Sequence, residues 1–174
     1  MVVLQTKSNS ETIRIGKHIG SLLLPGDIVA LVGELGAGKT QFIKGLATGV
    51  GVGKSTYISS PSFTLINEYE GKVRFYHIDL FRLKSEKEAE ELGLEEYFQG
   101  TGITAIEWAD KIPFLLPPEI LWIHIRYTGE NTRSFEIAGK GKQYERLMKS
   151  FEFGVRSKIL KQKSIRNTPN SQFK

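Results

Sequence analysis

The run Gly33-Glu-Leu-Gly-Ala-Gly38-Lys39-Thr40 constrains this chain more than any other feature. It fits G-x-x-x-x-G-K-[ST], the phosphate-binding loop pattern. Glycines let the backbone curl so that successive N–H groups point at phosphate oxygens. The helix that follows presents its positive end to the same anion. Lys39 brings a mobile positive charge to the terminal phosphates, and the Thr40 hydroxyl is of the type that ligates Mg²⁺. The flanks agree with this reading. Asp27 to Val32 is a short, nearly continuous apolar run rich in β-branched residues, as in a strand buried on both faces. A helix is expected from near Lys39 to about Thr48, stopped by Gly49 and Gly51. The nucleotide contacts expected of this unit are Gly33, Gly36, Ala37, Gly38, Lys39, Thr40 and Gln41.

The rest of the chain alternates strand-like and helix-like segments. Val2 to Gln5 reads as a strand, and Ser10 as the cap of a helix that Pro25-Gly26 ends. Ser62 to Tyr69 and Val73 to Ile78 read as a hairpin around Glu70-Gly71-Lys72. Ser85 to Leu92 is an acidic helix capped by Ser85, and Leu94 to Phe98 a shorter one. Gly102 to Ile106 is an apolar strand, and the prolines at 113, 117 and 118 mark a loop. A second hairpin pairs Ile120 to Arg126 with Thr132 to Ile137, and Lys142 to Phe151 is a last helix. The expected class is α/β, a three-layer P-loop NTPase fold with a mixed central sheet flanked by helices.

Two carboxylates are placed to complete a phosphate site. Asp79 closes the apolar strand Phe75-Tyr-His-Ile-Asp79, where a phosphate-binding fold keeps an acid for Mg²⁺. Glu107 closes the strand that begins at Ile103, and carboxyl ends of sheet strands are where ligands bind in open α/β folds. Either is a candidate for the metal, and Glu107 also for orienting an attacking water. A turn or a solvated strand end is the plain alternative for both. Trp108 stands at the nucleotide or at a partner face, or packs in the core as most tryptophans do. Ser60-Pro-Ser-Phe-Thr64 occupies the place of a switch segment whose hydroxyls sense the terminal phosphate. His77 is expected to be a packed or hydrogen-bonded strand residue rather than a base.

Composition excludes several classes. The chain of 174 residues is 40% hydrophobic and 25% charged, enough for one domain with a core. Without cysteine there is neither a disulfide framework nor a thiolate zinc site. No apolar run is long enough to span a bilayer, and the N-terminus lacks a signal-peptide pattern, so the cytoplasm is expected. The net charge of +5 is unevenly spread. Residues 140–174 carry ten Lys/Arg and two Glu, whereas residues 1–139 carry a small acidic excess. The expected division is a P-loop domain over 1–155 and a basic, flexible tail over 156–174. No Asn/Thr-Lys-x-Asp guanine-binding segment is present, nor an arginine-rich lid of the kind that small-molecule kinases close.

The run Gly33 to Thr40, then Ser60-Pro-Ser-Phe-Thr-Leu65, then Tyr76-His-Ile-Asp-Leu-Phe-Arg82, then Glu107-Trp108, resembles the TsaE (YjeE) family over roughly residues 1 to 150. Phe81 stands where that family usually has Tyr. The resemblance implies an ATPase of bacterial tRNA threonylcarbamoyladenosine synthesis that binds ATP with Mg²⁺ and hydrolyses it slowly. It implies docking on TsaD-like and TsaB-like partners, with hydrolysis resetting that complex between turnovers. Carried over by position, Lys39 contacts phosphates, Thr40 and Glu107 ligate the metal, and Asp79 is a direct or indirect metal partner that assists hydrolysis. Thr12 is placed near the adenine and Arg133 against the nucleotide on the resemblance alone. A metabolite kinase on the same cradle, or a nucleotide-dependent RNA-binding module gripping tRNA through the tail, are the competing functions.

Overall fold

The computed structural model describes residues 1–53, 55–152 and 154. The proposed basic tail therefore lies outside the described residues. Seven strands form one sheet: β1 Val2–Thr6, β2 Ile28–Val32, β3 Ile66–Tyr69, β4 Phe75–Asp79, β5 Ile103–Glu107, β6 Ile120–Gly129 and β7 Thr132–Lys140. Their order is β1-β7-β6-β2-β5-β4-β3. The four central strands, β6, β2, β5 and β4, run parallel, and β3, β7 and β1 join antiparallel at the two sides. The sheet is mixed, as expected.

Alternation along the strands sorts side chains to two cores. Val29 and Leu31 of β2 face one side with Ala105, Ile123 and Phe135, under helices α1 (Asn9–Gly20), α2 (Lys39–Val50) and α5 (residues 142–152). Ile28 and Ala30 face the other with Ile78 and Ile106, under α3 (Glu86–Glu90), α4 (Glu95–Gln99) and the 3-10 turn Ala109–Lys111. The second layer is the smaller and lies over the β2-β5-β4 half of the sheet; Val3, on the β1 side, is 59% exposed. Among the described residues no helix is long and apolar enough to cross a membrane.

Several element boundaries differ from the sequence reading. Helix α1 is capped by Ser8, whose hydroxyl accepts from the Glu11 amide, not by Ser10, and it ends at Gly20, well before Pro25. Strand β3 starts at Ile66 because Leu65 takes a left-handed turn, φ 65°, that breaks the run from Ser62. Helix α2 passes through Gly49 and stops only at Gly51. Gly49 belongs to a close helix contact. A Cβ on Gly16 or Gly20 of α1 would sit 2.2–2.3 Å from α2 carbonyl oxygens. One on Gly45 or Gly49 of α2 would sit 2.1–2.3 Å from α1 carbonyls. Two small-x-x-x-small stripes thus let the helix backbones touch, and this contact fixes the helix that carries Lys39 and Thr40.

The first turn of α5 is tied to the start of β2. Tyr144 Oη accepts from the Ile28 amide at 2.7 Å, and Gln143 donates to Asp27 at 2.9 Å. Burial pushes the Tyr144 hydroxyl up to about 12 and raises the Asp27 carboxyl above its ordinary value.

Candidate functional site

Parallel register brings the carboxyl ends of β2, β5 and β4 to one edge of the sheet. Leu31 pairs with Glu107, and Glu107 with Asp79. Gly33 to Gly38 leaves the end of β2 and curls back into α2, with Gly36 and Gly38 at φ 78° and 105°, a region open to glycine and strained for other residues. The cleft that results has a volume of about 390 Å³. Its walls include Gly36, Lys39, Thr40, Gln41, Asp79 and Glu107.

The side chains in this cleft form one polar network. Thr40 Oγ1 donates to Glu107 Oε1 at 2.8 Å, and His77 Nε2 lies 2.9 Å from the same oxygen. Asp79 is held through both oxygens, by the Ser60 hydroxyl at 2.5 Å and the Phe81 amide at 3.0 Å. Lys39 Nζ donates to the carbonyls of Gly33 and Glu34 at 2.7 and 2.9 Å. It lies 3.8 Å from the centre of the Trp108 ring, a cation–π contact. Burial lowers the Lys39 ammonium from its ordinary value, and Glu107, Asp79 and Asp110 oppose that shift. Lys39, Asp79 and Glu107 are each no more than 4% exposed. Charges buried this deeply need partners; Lys39 has two carbonyls, Asp79 the Ser60 hydroxyl and the Phe81 amide, and Glu107 the Thr40 hydroxyl and His77.

Trp108 is half-buried on the cleft wall, with a left-handed backbone, φ 61°, and its ring 5.2 Å from Phe81. Such a conformation in a non-glycine residue stores of order 1 kcal/mol and clusters at functional sites. The Ser60 segment reaches the cleft through Ser60 and Ser62, as its place between α2 and β4 suggested.

Other residues singled out in the sequence lie around the cleft rather than in it. Arg133 grips the phosphate loop from outside, Nε donating to the Ala37 carbonyl at 3.0 Å. Gly33 contributes its carbonyl to Lys39, and Ala37 is fully buried under the loop. Thr12 is 1% exposed, its hydroxyl 3.1 Å from that of Thr6, and it is absent from the cleft wall. Two residues that were not among the expected site residues take part. Tyr127 Oη donates to the Gly36 carbonyl at 2.5 Å, with the Arg133 guanidinium 4.2 Å from the Tyr127 ring centre. Arg82 lines the cleft, its guanidinium 4.1 Å from the Phe63 ring centre. Arg82 was legible within Tyr76 to Arg82, whereas nothing in the local pattern of β6 marked Tyr127.

The donor set tests which ion suits this place. Hydroxyl and carboxylate oxygens gather between Thr40 and Glu107, hard donors that match Mg²⁺. Among the described residues no group of three or more His, Cys, Asp and Glu could hold a metal ion.

Comparison with known proteins agrees with this geometry. The family model described as "Threonylcarbamoyl adenosine biosynthesis protein TsaE" matches residues 6–135. The TsaE protein of Bacillus subtilis is 42% identical over 144 residues, 82% of this chain and 89% of that protein. The TsaE protein of Treponema pallidum is 38% identical over 133 residues, 76% of this chain and 97% of that protein. A crystal structure of Bacillus subtilis YdiB superposes with a TM-score of 0.76 at 36% identity, covering 88% of this chain and 95% of the other. With the family model matching residues 6–135, relatives 38–42% identical over most of their length and the motif residues gathered in one cleft, this chain belongs to the TsaE family.

Proposed function

We propose that this protein binds and hydrolyses Mg²⁺-ATP as an accessory factor of tRNA threonylcarbamoyladenosine biosynthesis, working in the cytoplasm on TsaD-like and TsaB-like partners. The observation that carries the chemistry is the Thr40–Glu107 hydrogen bond at the mouth of the phosphate loop. Thr40 gives its hydrogen to the carboxylate, which leaves its oxygen lone pairs for an ion. Thr40 and Glu107 would hold Mg²⁺. Bound there, the ion would supply positive charge to the terminal phosphates.

The chain's own residues do the rest. Loop amides and the N-terminus of α2 take the phosphate oxygens. Lys39, held now by two carbonyls and an aromatic face, moves to the terminal phosphates when they arrive. Asp79, fixed by Ser60 and the Phe81 amide, orients the water that attacks the γ-phosphorus. As that bond forms, the bond from the γ-phosphorus to the bridging oxygen breaks, ADP leaves with the electron pair, and the proton lost by the water passes to an oxygen of the released phosphate. Tyr127 and Arg133 keep the loop carbonyls turned outward so that the amides face inward. The exposed side chains of Leu35 and Phe63 lie beside the opening and leave it accessible to a partner.

The test is a reconstituted modification reaction with TsaD-like and TsaB-like proteins, tRNA, the threonylcarbamoyl donor and ATP. Wild type should support repeated turnover, and Glu107→Ala should fold yet stop after the first round. Normal repeated turnover by Glu107→Ala would reject the reading.

A further inference from the structure

His77 is the buried titratable side chain that the reading above leaves without a task. It is fully buried on β4, on the face under α2. Its cross-strand neighbour on β5 is Ala105, whose small side chain leaves room for the imidazole to lean toward the strand end. There Nε2 comes within 2.9 Å of Glu107 Oε1. The other ring nitrogen, Nδ1, has no hydrogen-bond partner among the described residues. A carboxylate only accepts, so the hydrogen shared in this contact is the one on Nε2.

Glu107 Oε1 therefore receives two hydrogens, one from Thr40 and one from His77. Thr40 alone would leave the carboxylate free to swing about its last torsion. With a second donor rooted in a different strand, the carboxylate plane is fixed before any ligand arrives. We infer that His77 is a positioning residue, setting the orientation of the Glu107 carboxylate toward the divalent ion of the nucleotide complex. The inference rests on the proposed metal role of Thr40 and Glu107. It also accounts for a polar ring at a site that β-sheet packing would otherwise give to an apolar side chain, as in Phe75 and Ile78 on the same strand.

The experiment measures Mn²⁺ binding to the full chain loaded with ADP, by electron paramagnetic resonance titration. ADP affinity without metal and thermal unfolding are recorded in parallel. His77→Leu removes the donor at similar volume, and His77→Gln keeps an amide N–H. Outer hydrogen-bond partners of metal ligands commonly change affinity ten- to a hundredfold when lost. His77→Leu should weaken Mn²⁺ binding roughly tenfold, with metal-free ADP affinity unchanged and His77→Gln within about threefold of wild type. In a Glu107→Gln background, His77→Leu should add no further loss. Wild-type Mn²⁺ affinity in His77→Leu, alongside a clear loss in Glu107→Gln, would overturn the inference and leave the metal site standing. A His77→Leu loss that His77→Gln fails to restore, or that persists undiminished in the Glu107→Gln background, would also overturn it. Undiminished Mn²⁺ binding by Glu107→Gln would instead remove the metal reading itself.

Discussion

At the scale of single residues, the proposed phosphate site is a set of buried polar groups joined by hydrogen bonds. Lys39 is 4% exposed and donates to two carbonyls. Replacing it leaves those carbonyls unpartnered and removes a charge-assisted contact to phosphate, worth about 1.5–3 kcal/mol. Lys39→Ala should therefore weaken ATP binding roughly a hundredfold in calorimetry; wild-type affinity would mean that phosphate binds elsewhere. Tyr127 acts more gently, through one hydroxyl on the Gly36 carbonyl. Tyr127→Phe should loosen the loop and weaken ATP two- to tenfold, roughly the worth of one hydrogen bond, with little change in unfolding temperature. Lys39, Thr40, Asp79 and Glu107 were legible in sequence because strand ends and a glycine loop fix their places locally. Tyr127 was not, because its partner lies 91 residues away and only the β6–β7 hairpin brings them together.

At the scale of elements, the informative departures are at boundaries. The helix expected to run to Pro25 stops at Gly20, and Leu22 and Leu23 pack under the sheet from a turn instead. Reading Gly49 as a stop weighed its low helix propensity and missed its use as a contact surface. Propensity costs about 1 kcal/mol for each such glycine, and the close α1–α2 approach offsets it. Gly45→Ala therefore should not stabilise the helix. The added methyl meets the Ile13 carbonyl at 2.1 Å, so a net loss of about 2 kcal/mol is expected, seen as a fall of roughly 4–8 °C in unfolding temperature. The tie between α5 and β2 has its own signature. Tyr144 is pushed up to about 12 in the folded protein from an ordinary 10.0, so the folded state holds the proton more tightly. Its contribution is complete below pH 10 and declines as pH rises toward 12. Wild type should lose of order 2 kcal/mol across that window that Tyr144→Phe does not lose, measured by urea unfolding at each pH.

At the scale of the whole molecule, strand order was the least legible feature and the class the most. A phosphate loop between a buried strand and a helix implies a parallel sheet, and two hairpins imply antiparallel additions. Which strand neighbours β2 depends on long-range pairing, because β5 and β6 arrive 70 residues or more later in the chain. That order matters, because placing β5 beside β2 is what sets Glu107 against Thr40. The charge split adds an expectation about residues 156–174, which carry six basic and no acidic side chains. If they add electrostatic affinity for tRNA, their deletion should reduce the salt dependence of tRNA binding by the assembled complex; an unchanged slope would reject that role. The central claim is tested most directly by release of inorganic phosphate from ATP by the purified full-length chain, with no acceptor present. The account predicts slow, Mg²⁺-dependent release that partners alter and Glu107→Ala abolishes. No release under any of these conditions, or phosphate appearing only on an added small-molecule acceptor, would contradict it.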